Sequence, residues 1–148
     1  MNKFLSILFV LCLLAGCEGS VSSKTMVCKG TTSGVIEVTN TVEYNGDKVL
    51  KQEIKNEVTL EKLGLNKESL ETLVSQYSSA YDIEGVTYEY SISEEGLFTE
   101  TIGIDFEKAD FAKLQSMGLM EAEDGEEITF VSFSATKEAL ETFGLKCE

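Results

Sequence analysis

Residues 35–60 read VIEVTNTVEYNGDKVLKQEIKNEVTL, and this stretch decides the fold. Over 35–44, apolar side chains alternate with polar ones, which is the pattern of a strand with one buried face. Asn45-Gly46 then favours a tight hairpin turn, because both residues tolerate positive φ. In the return segment, 48–60, one face carries Leu50, Ile54, Val58 and Leu60. The stretch therefore predicts two antiparallel strands joined by a short turn.

Further strands and helices are predicted on both sides of this hairpin. Upstream, a strand over 24–30 completes a three-stranded meander. Downstream, Asn66 is the predicted N-cap of an amphipathic helix over 66–80. A second hairpin follows, with strands over 86–93 and 98–106 that are joined at Glu94-Glu95-Gly96.

The last third of the chain predicts shorter elements. A short helix is expected over 107–117, a strand over 128–133, and a final helix capped by Thr136. Because hairpins pair their strands antiparallel, the predicted class is α+β. We expect an antiparallel sheet of about five to six strands with two to three helices packed on it.

The amino-terminal segment has the features of an export signal. Lys3 precedes an apolar run over 4–14, which leads to Gly16 and Cys17. The run is shorter than the ~20 residues that span a bilayer. Its end resembles the lipobox of bacterial lipoprotein precursors, in which the cysteine thiol receives a diacylglyceryl group and the preceding peptide is removed. The alternative is an ordinary cleaved signal that leaves Cys17 as a free thiol.

This interpretation divides the chain into three parts. Residues 1–16 form a signal peptide cleaved between Gly16 and Cys17, 17–23 form a flexible tether, and 24–148 form one domain. The predicted location is extracytoplasmic, with the protein anchored to the bacterial cell membrane by the lipid on Cys17. A monomer is expected.

The charge of the chain limits its partners. The net charge is −14, and it becomes −15 from Cys17 onward, because Lys3 is the only charged residue before that position. So acidic a surface disfavours nucleic acid and repels anionic lipid, so the lipid group must provide the membrane attachment. The acids favour a well-solvated exterior or a surface for cationic partners.

Two cysteines remain in the predicted domain, Cys28 near its beginning and Cys147 near its end. Outside the cytoplasm, such a pair first predicts a disulfide. Two free thiols are the alternative. Half of a metal site is disfavoured, since further thiols or imidazoles are lacking.

No catalytic residue, cofactor or metal is assigned from the sequence. The chain has no His, so Ser-His and Cys-His pairs are excluded, and carboxylates, Lys, Tyr and Ser are the groups left for an enzyme. Ser134 and Lys137 fit an S-x-x-K pattern, but they are better interpreted as the start of a helix. The acidic loop 121–127 could attract calcium, although a solvated turn is favoured.

Four tyrosines are the candidate ligand-binding residues: Tyr77 and Tyr81 on one helix face, and Tyr88 and Tyr90 on one strand face. They would line a groove for a peptide or glycan, or else belong to the edge of the core. The leading hypothesis is a non-enzymatic binding or interaction module in the cell envelope. The alternative is a small-ligand or peptide-binding accessory lipoprotein of a transport or sensing system, and a small hydrolase is less favoured.

Two segments carry a family resemblance: residues 42–49, VEYNGDKV, with Lys51 and Gln52, and residues 104–110, IDFEKAD. With the order of the predicted elements, they resemble the YehR-like family of small bacterial lipoproteins over 24–145. The resemblance implies an envelope location and the α+β fold. It implies no reaction, because the family has no established biochemical activity.

Overall fold

The computed structural model describes residues 22–120 and 128–148, which form one antiparallel sheet with helices on one face. The elements in chain order are β1 (Lys24–Thr32), β2 (Ile36–Asn45), β3 (Lys48–Thr59), α1 (Leu60–Leu63), α2 (Lys67–Tyr77), a 3-10 helix (Ser78–Tyr81), β4 (Val86–Ile92), β5 (Leu97–Asp105), α3 (Phe111–Ser116), β6 (Val131–Ser132), α4 (Phe133–Thr142) and β7 (Lys146–Cys147). The sheet runs in the order β4-β5-β3-β2-β1-β7, and β6 pairs with the start of β3. The α+β prediction is confirmed, with seven strands and four α-helices in the described residues.

The helices all cover the same face of the sheet. One core cluster lies under α3 and α4 and includes Val42, Ile104 and Leu114. A second lies under α1 and α2 and includes Val58 and Val74. The opposite face carries threonines and charged side chains, because period-2 alternation sends every second residue there.

The first hairpin differs by one residue from its prediction. Asn45 pairs with Lys48, so the turn residues are Gly46, at φ 59°, and Asp47, not Asn45-Gly46. The pairing then shifts between Glu43 and Tyr44, which makes Leu50 the extra residue of a β-bulge. As a result Val49 is fully buried, and the predicted inward position of Leu50 is wrong.

Helix starts also differ from the sequence-based expectations. Ser132, not Thr136, caps α4: its Oγ accepts a hydrogen bond from the Ala135 N–H at 3.2 Å. Thr136 lies one turn later and donates to the Ser132 carbonyl. Asp110 caps α3, which therefore begins at Phe111 and not near 107. The predicted Asn66 cap of α2 is confirmed.

Three short elements differ from the prediction because they depend on distant partners. The predicted strand over 128–133 is only two residues long, since β6 finds pairing partners only at Lys48 and Val49. The four-residue helix α1 and the two-residue strand β7 carry too little local pattern to be recognised in the sequence. β7 exists because it lies beside β1, where Cys28 is opposite Cys147.

Candidate functional site

The four tyrosines named as candidate ligand-binding residues lie together at one side of the sheet. Tyr81 stacks on Tyr88 with ring centroids 4.7 Å apart, and Tyr77 meets Tyr88 edge-on at 5.9 Å. Tyr90 lies 6.4 Å from Tyr88 on the same strand. The end of α2, the 3-10 helix and β4 therefore bring these four rings into one cluster, although they are distributed over fourteen residues of sequence.

A carboxylate organises this tyrosine cluster. Glu100 Oε1 accepts hydrogen bonds from the Tyr88 hydroxyl at 2.8 Å and from the Tyr77 hydroxyl at 3.2 Å. Its other oxygen, Oε2, accepts from Asn56 Nδ2 at 3.1 Å. Glu100 faces the helices between Phe98 and Ile102, a position that alternation gives to an apolar residue. This acid in an apolar row is the sequence signal that would have identified the network.

The environment of Tyr77, Tyr81 and Tyr88 keeps their hydroxyls protonated. Burial raises the pKa of Tyr88, and its hydrogen bonds to Tyr77 and Glu100 raise it further. Burial is also the main reason that the pKa values of Tyr77 and Tyr81 are raised, with the negative charge of Glu100 adding to the effect. In their protonated form the hydroxyls of Tyr77 and Tyr88 donate to Glu100, which holds β4, β5 and α2 together.

An apolar groove lies elsewhere on the helix-covered side and contains none of the four tyrosines. It has a volume of about 660 Å³ and lies between the end of α3, β6 and α4. Small side chains of α4, Ala135 and Ala139, form one wall. Two exposed aromatic rings line it as well, Phe130 at 49% and Phe143 at 76% exposure. The remaining lining residues are Gln52, Phe106, Gly118, Leu119, Met120, Ile128, Val131, Ser132, Thr136 and Leu140.

Sequence reasoning missed this groove, although a signal for it exists. α4 and its C-cap carry three apolar residues spaced by four, namely Ala135, Ala139 and Phe143. This spacing puts them on one face of the helix, and Leu140 lies to the side of that face. All three are exposed, whereas Leu140 is half-buried against the core. An apolar helix face that the sheet does not cover is the feature that marks the groove.

A smaller depression of about 390 Å³ lies on the face of the sheet without helices. Gly103 provides no side chain there, and Thr87 leans over it. Hydroxyl and charged groups surround it, among them Thr41, Lys51 and Asp105. Burial opposes the ionisation of Asp105, but hydrogen bonds from Lys108 and from the Glu107 N–H outweigh it and lower the pKa. This mixed polar surface singles out no ligand class.

The predicted disulfide is present, since the Sγ atoms of Cys28 and Cys147 are bonded. Ser134 and Lys137 form part of a helix start: the Ser134 N–H donates to Asp47, and Lys137 pairs with Glu141 at 3.8 Å. Gly16, Cys17 and the acidic segment 121–127 lie outside the described residues.

Two features are absent from residues 22–120 and 128–148. Those ranges contain no group of three or more His, Cys, Asp or Glu side chains suited to holding a metal ion. None of their helices combines the length and apolarity needed to cross a bilayer.

Comparison with known proteins gives a family and a fold. YehR of E. coli, solved by NMR, is 25% identical, with a TM-score of 0.71 over 86% of this chain and 92% of that chain. A protein from Streptococcus pneumoniae TIGR4, also solved by NMR, has a TM-score of 0.59 at 13% identity, over 100% of this chain and 98% of that one, which shows the fold alone. No protein of curated function matches the sequence. The model of a family described as "Protein of unknown function (DUF1307)" matches residues 24–146, and the chain therefore belongs to that family.

Proposed function

We propose that this chain is a non-enzymatic binding module, anchored by a lipid on Cys17 outside the cytoplasm, and that the groove beside α4 is its ligand site. The groove is the observation that carries the proposal. Its volume of about 660 Å³ lies within the ~300–1,000 Å³ typical of small-molecule sites, and its walls are mainly apolar. The alternative from the sequence, a small-ligand-binding accessory lipoprotein, fits this geometry well.

The groove lies near the end of the domain to which the anchor would attach. Lys24 pairs with Tyr44 beside the first hairpin, and Ser23 Oγ donates to Glu43 Oε1 at 2.6 Å. β6, which contributes to the groove, pairs with Lys48 and Val49 at this same end. A seven-residue tether over 17–23 reaches at most about 24 Å, so it would keep the groove close to the bilayer surface.

The chemistry of the groove defines the ligand class. Methyl, methylene and phenyl groups of Ala139, Met120 and Phe130 offer contacts to an apolar chain or ring. The chain carries 26 acidic residues, so an anionic head group would be repelled. A neutral or cationic amphiphile is the ligand class that both features favour.

The test of the groove uses residues 17–148 with Cys17→Ala and the uncharged fluorescent probe N-phenyl-1-naphthylamine. We expect saturable binding that Ala139→Gln weakens by about tenfold or more, since burying an unpaired amide costs roughly 1–3 kcal/mol. Glu138→Gln is the matched control, because this neighbouring exposed residue does not line the groove. Probe binding that is absent, or equal in both variants, would contradict the proposal.

The anchor is tested separately in the full-length chain. The wild-type protein should fractionate with membranes, with a diacylglyceryl mass on Cys17 and residues 1–16 removed. Cys17→Ala should abolish the lipid mass and leave the protein released or unprocessed. An unacylated Cys17 in the wild-type product would exclude the lipid anchor and leave the groove result unaffected.

A further inference from the structure

The outer edge of β4 has hydrogen-bonding groups without partners in the described ranges. The Ser93 N–H donates to the Leu97 carbonyl, and the Asp105 N–H donates to the Gly85 carbonyl. Odd-numbered residues of β4 therefore bond to β5, and even-numbered ones point their backbone groups away from it. The Val86 N–H is bonded to the Ile83 carbonyl. Tyr88, Tyr90 and Ile92 thus offer donors and acceptors to an additional strand.

Apart from one charged side chain, Glu89, this edge lacks the features that usually prevent strand addition. Protected edges carry lysine or proline, or they are short or bulged. β4 is seven residues long, VTYEYSI, without Lys or Pro, and it pairs with β5 in unbroken register. The opposite edge differs: β1 carries Lys24 and Lys29, and β7, which covers part of it, carries Lys146. The contrast indicates that the β4 edge is available for pairing.

The surroundings of the β4 edge favour a cationic partner. Residues 82–95, which contain β4 and the segments on either side of it, include five acidic residues and no lysine, although the chain as a whole has twelve lysines. On β4 itself, Glu89 is exposed on the face without helices. On the other face Tyr77 is 37% exposed and Tyr90 is 45% exposed, and aromatic rings of this kind attract Lys and Arg.

We propose that the β4 edge binds an extended basic peptide segment of a partner protein, which adds to the sheet beside Tyr88, Tyr90 and Ile92. Backbone hydrogen bonds to these residues would hold the segment, and alternate side chains would face Glu89 on one side and Tyr90 on the other. A second copy of this chain is a poor occupant, because it would bring the same acidic strand and an equal negative charge. The edge is a separate surface from the groove, whose lining contains no β4 residue.

The test uses residues 17–148 with Cys17→Ala and a fluorescein-labelled hexapeptide of alternating Lys and Val. We expect saturable binding that weakens as salt is added. A Glu-Val hexapeptide should not bind, because its charge is reversed. A Lys-Val hexapeptide that is N-methylated at every residue keeps the charge but should not bind either, because none of its amides can donate to a strand ladder. Equal binding of the plain and the N-methylated Lys-Val peptides would overturn strand addition, and no binding of the plain Lys-Val peptide would overturn the proposal as a whole.

Amide exchange locates the peptide. On binding, the N–H groups of Tyr88, Tyr90 and Ile92 should gain protection, whereas those of Thr87, Glu89 and Ser91 already bond to β5. Two outcomes would overturn the proposal. Peptide binding that adds no protection at these three amides would place the peptide elsewhere. Self-association of the protein in the absence of peptide would make a second copy the occupant of the edge.

A pair of charge reversals completes the test. Glu89→Lys should weaken binding of the Lys-Val peptide by about threefold to tenfold, as expected for surface charge pairs. Glu138→Lys makes the same charge change on α4 and should leave peptide binding unchanged. Equal effects of the two variants would show that only the net charge of the protein attracts the peptide, and they would overturn its placement beside Glu89. Ala139→Gln should bind the peptide normally, which separates a failure of the edge from a failure of the groove.

Discussion

At the scale of single residues, Glu100 has the largest number of side-chain hydrogen-bond partners in the tyrosine cluster. It accepts from Tyr77, Tyr88 and Asn56 and so joins α2, β4, β5 and β3. Along β5 the apolar residues Phe98, Ile102 and Ile104 alternate with polar ones, and all three are buried. The same alternation puts Glu100 on the inward face, but it could not name the hydrogen-bond partners of Glu100, because they come from three other elements.

We expect Glu100→Ala to lower the free energy of unfolding by about 1–3 kcal/mol, since it leaves the Tyr88 and Asn56 donors without their acceptor. Glu100→Gln should lower the free energy of unfolding by less, because its amide oxygen can still accept a hydrogen bond. Denaturant unfolding measures both effects. Glu89→Ala, an exposed acid on the neighbouring strand, is the control, and a loss for Glu100→Ala no larger than for this control would contradict the role of the network.

At the scale of elements, Asp47 connects the first hairpin to α4. Its carboxylate accepts from the Ser134 N–H and the Ser132 hydroxyl, each at 2.8 Å, and its carbonyl accepts from the Phe133 N–H at 2.7 Å. Tyr44 stacks on Phe133 beside it at 3.6 Å. The sequence predicted the hairpin, because the signal lies within a few residues. It could not predict the contact with α4, which joins residues that are 87 positions apart.

The Asp47 contact predicts a pH-dependent stability. The hydrogen bond from the Ser134 N–H, with those from the Ser134 and Ser132 side chains, lowers the pKa of Asp47 below its ordinary value of 3.8. The stabilisation is therefore complete above pH ~4 and is lost as the pH falls through the lowered folded-state pKa. Asp47→Asn should have a lower thermal midpoint than wild type at pH 7, and the difference should shrink at acidic pH. A difference that does not vary with pH would contradict this role of the carboxylate.

At the scale of the whole molecule, the disulfide joins the two ends of the domain. Cys28 on β1 and Cys147 on β7 are 119 residues apart and opposite each other in the sheet. The sequence predicted this pair from the expected compartment and the cysteine count. For the apolar groove the sequence carries one sign, the apolar face of α4, but its other walls could not be predicted, because they come from β3, β6 and the segment after α3 and meet only in the folded chain.

Reduction of this bond should lower the stability of the domain by roughly 4–5 kcal/mol, the chain-entropy value for a loop of this length. The measurement is denaturant unfolding of residues 17–148 with and without a reductant. With Cys17→Ala, Cys28 and Cys147 are the only cysteines in residues 17–148. In a variant that also carries Cys28→Ala and Cys147→Ala, the reductant should not change the unfolding midpoint. An unchanged unfolding midpoint after reduction would show that the bond does not stabilise the fold.

The disulfide also has a consequence for the order of assembly. During synthesis β1 is made before β7, the strand beside its outer edge. Until residue 147 is in place, the sulfur of Cys28 has no intramolecular partner within 24–146. A thiol-reactive dye should therefore label Cys28 in residues 24–146 and leave the oxidised domain, residues 24–148, unlabelled, so that the bond reports that synthesis has passed residue 147.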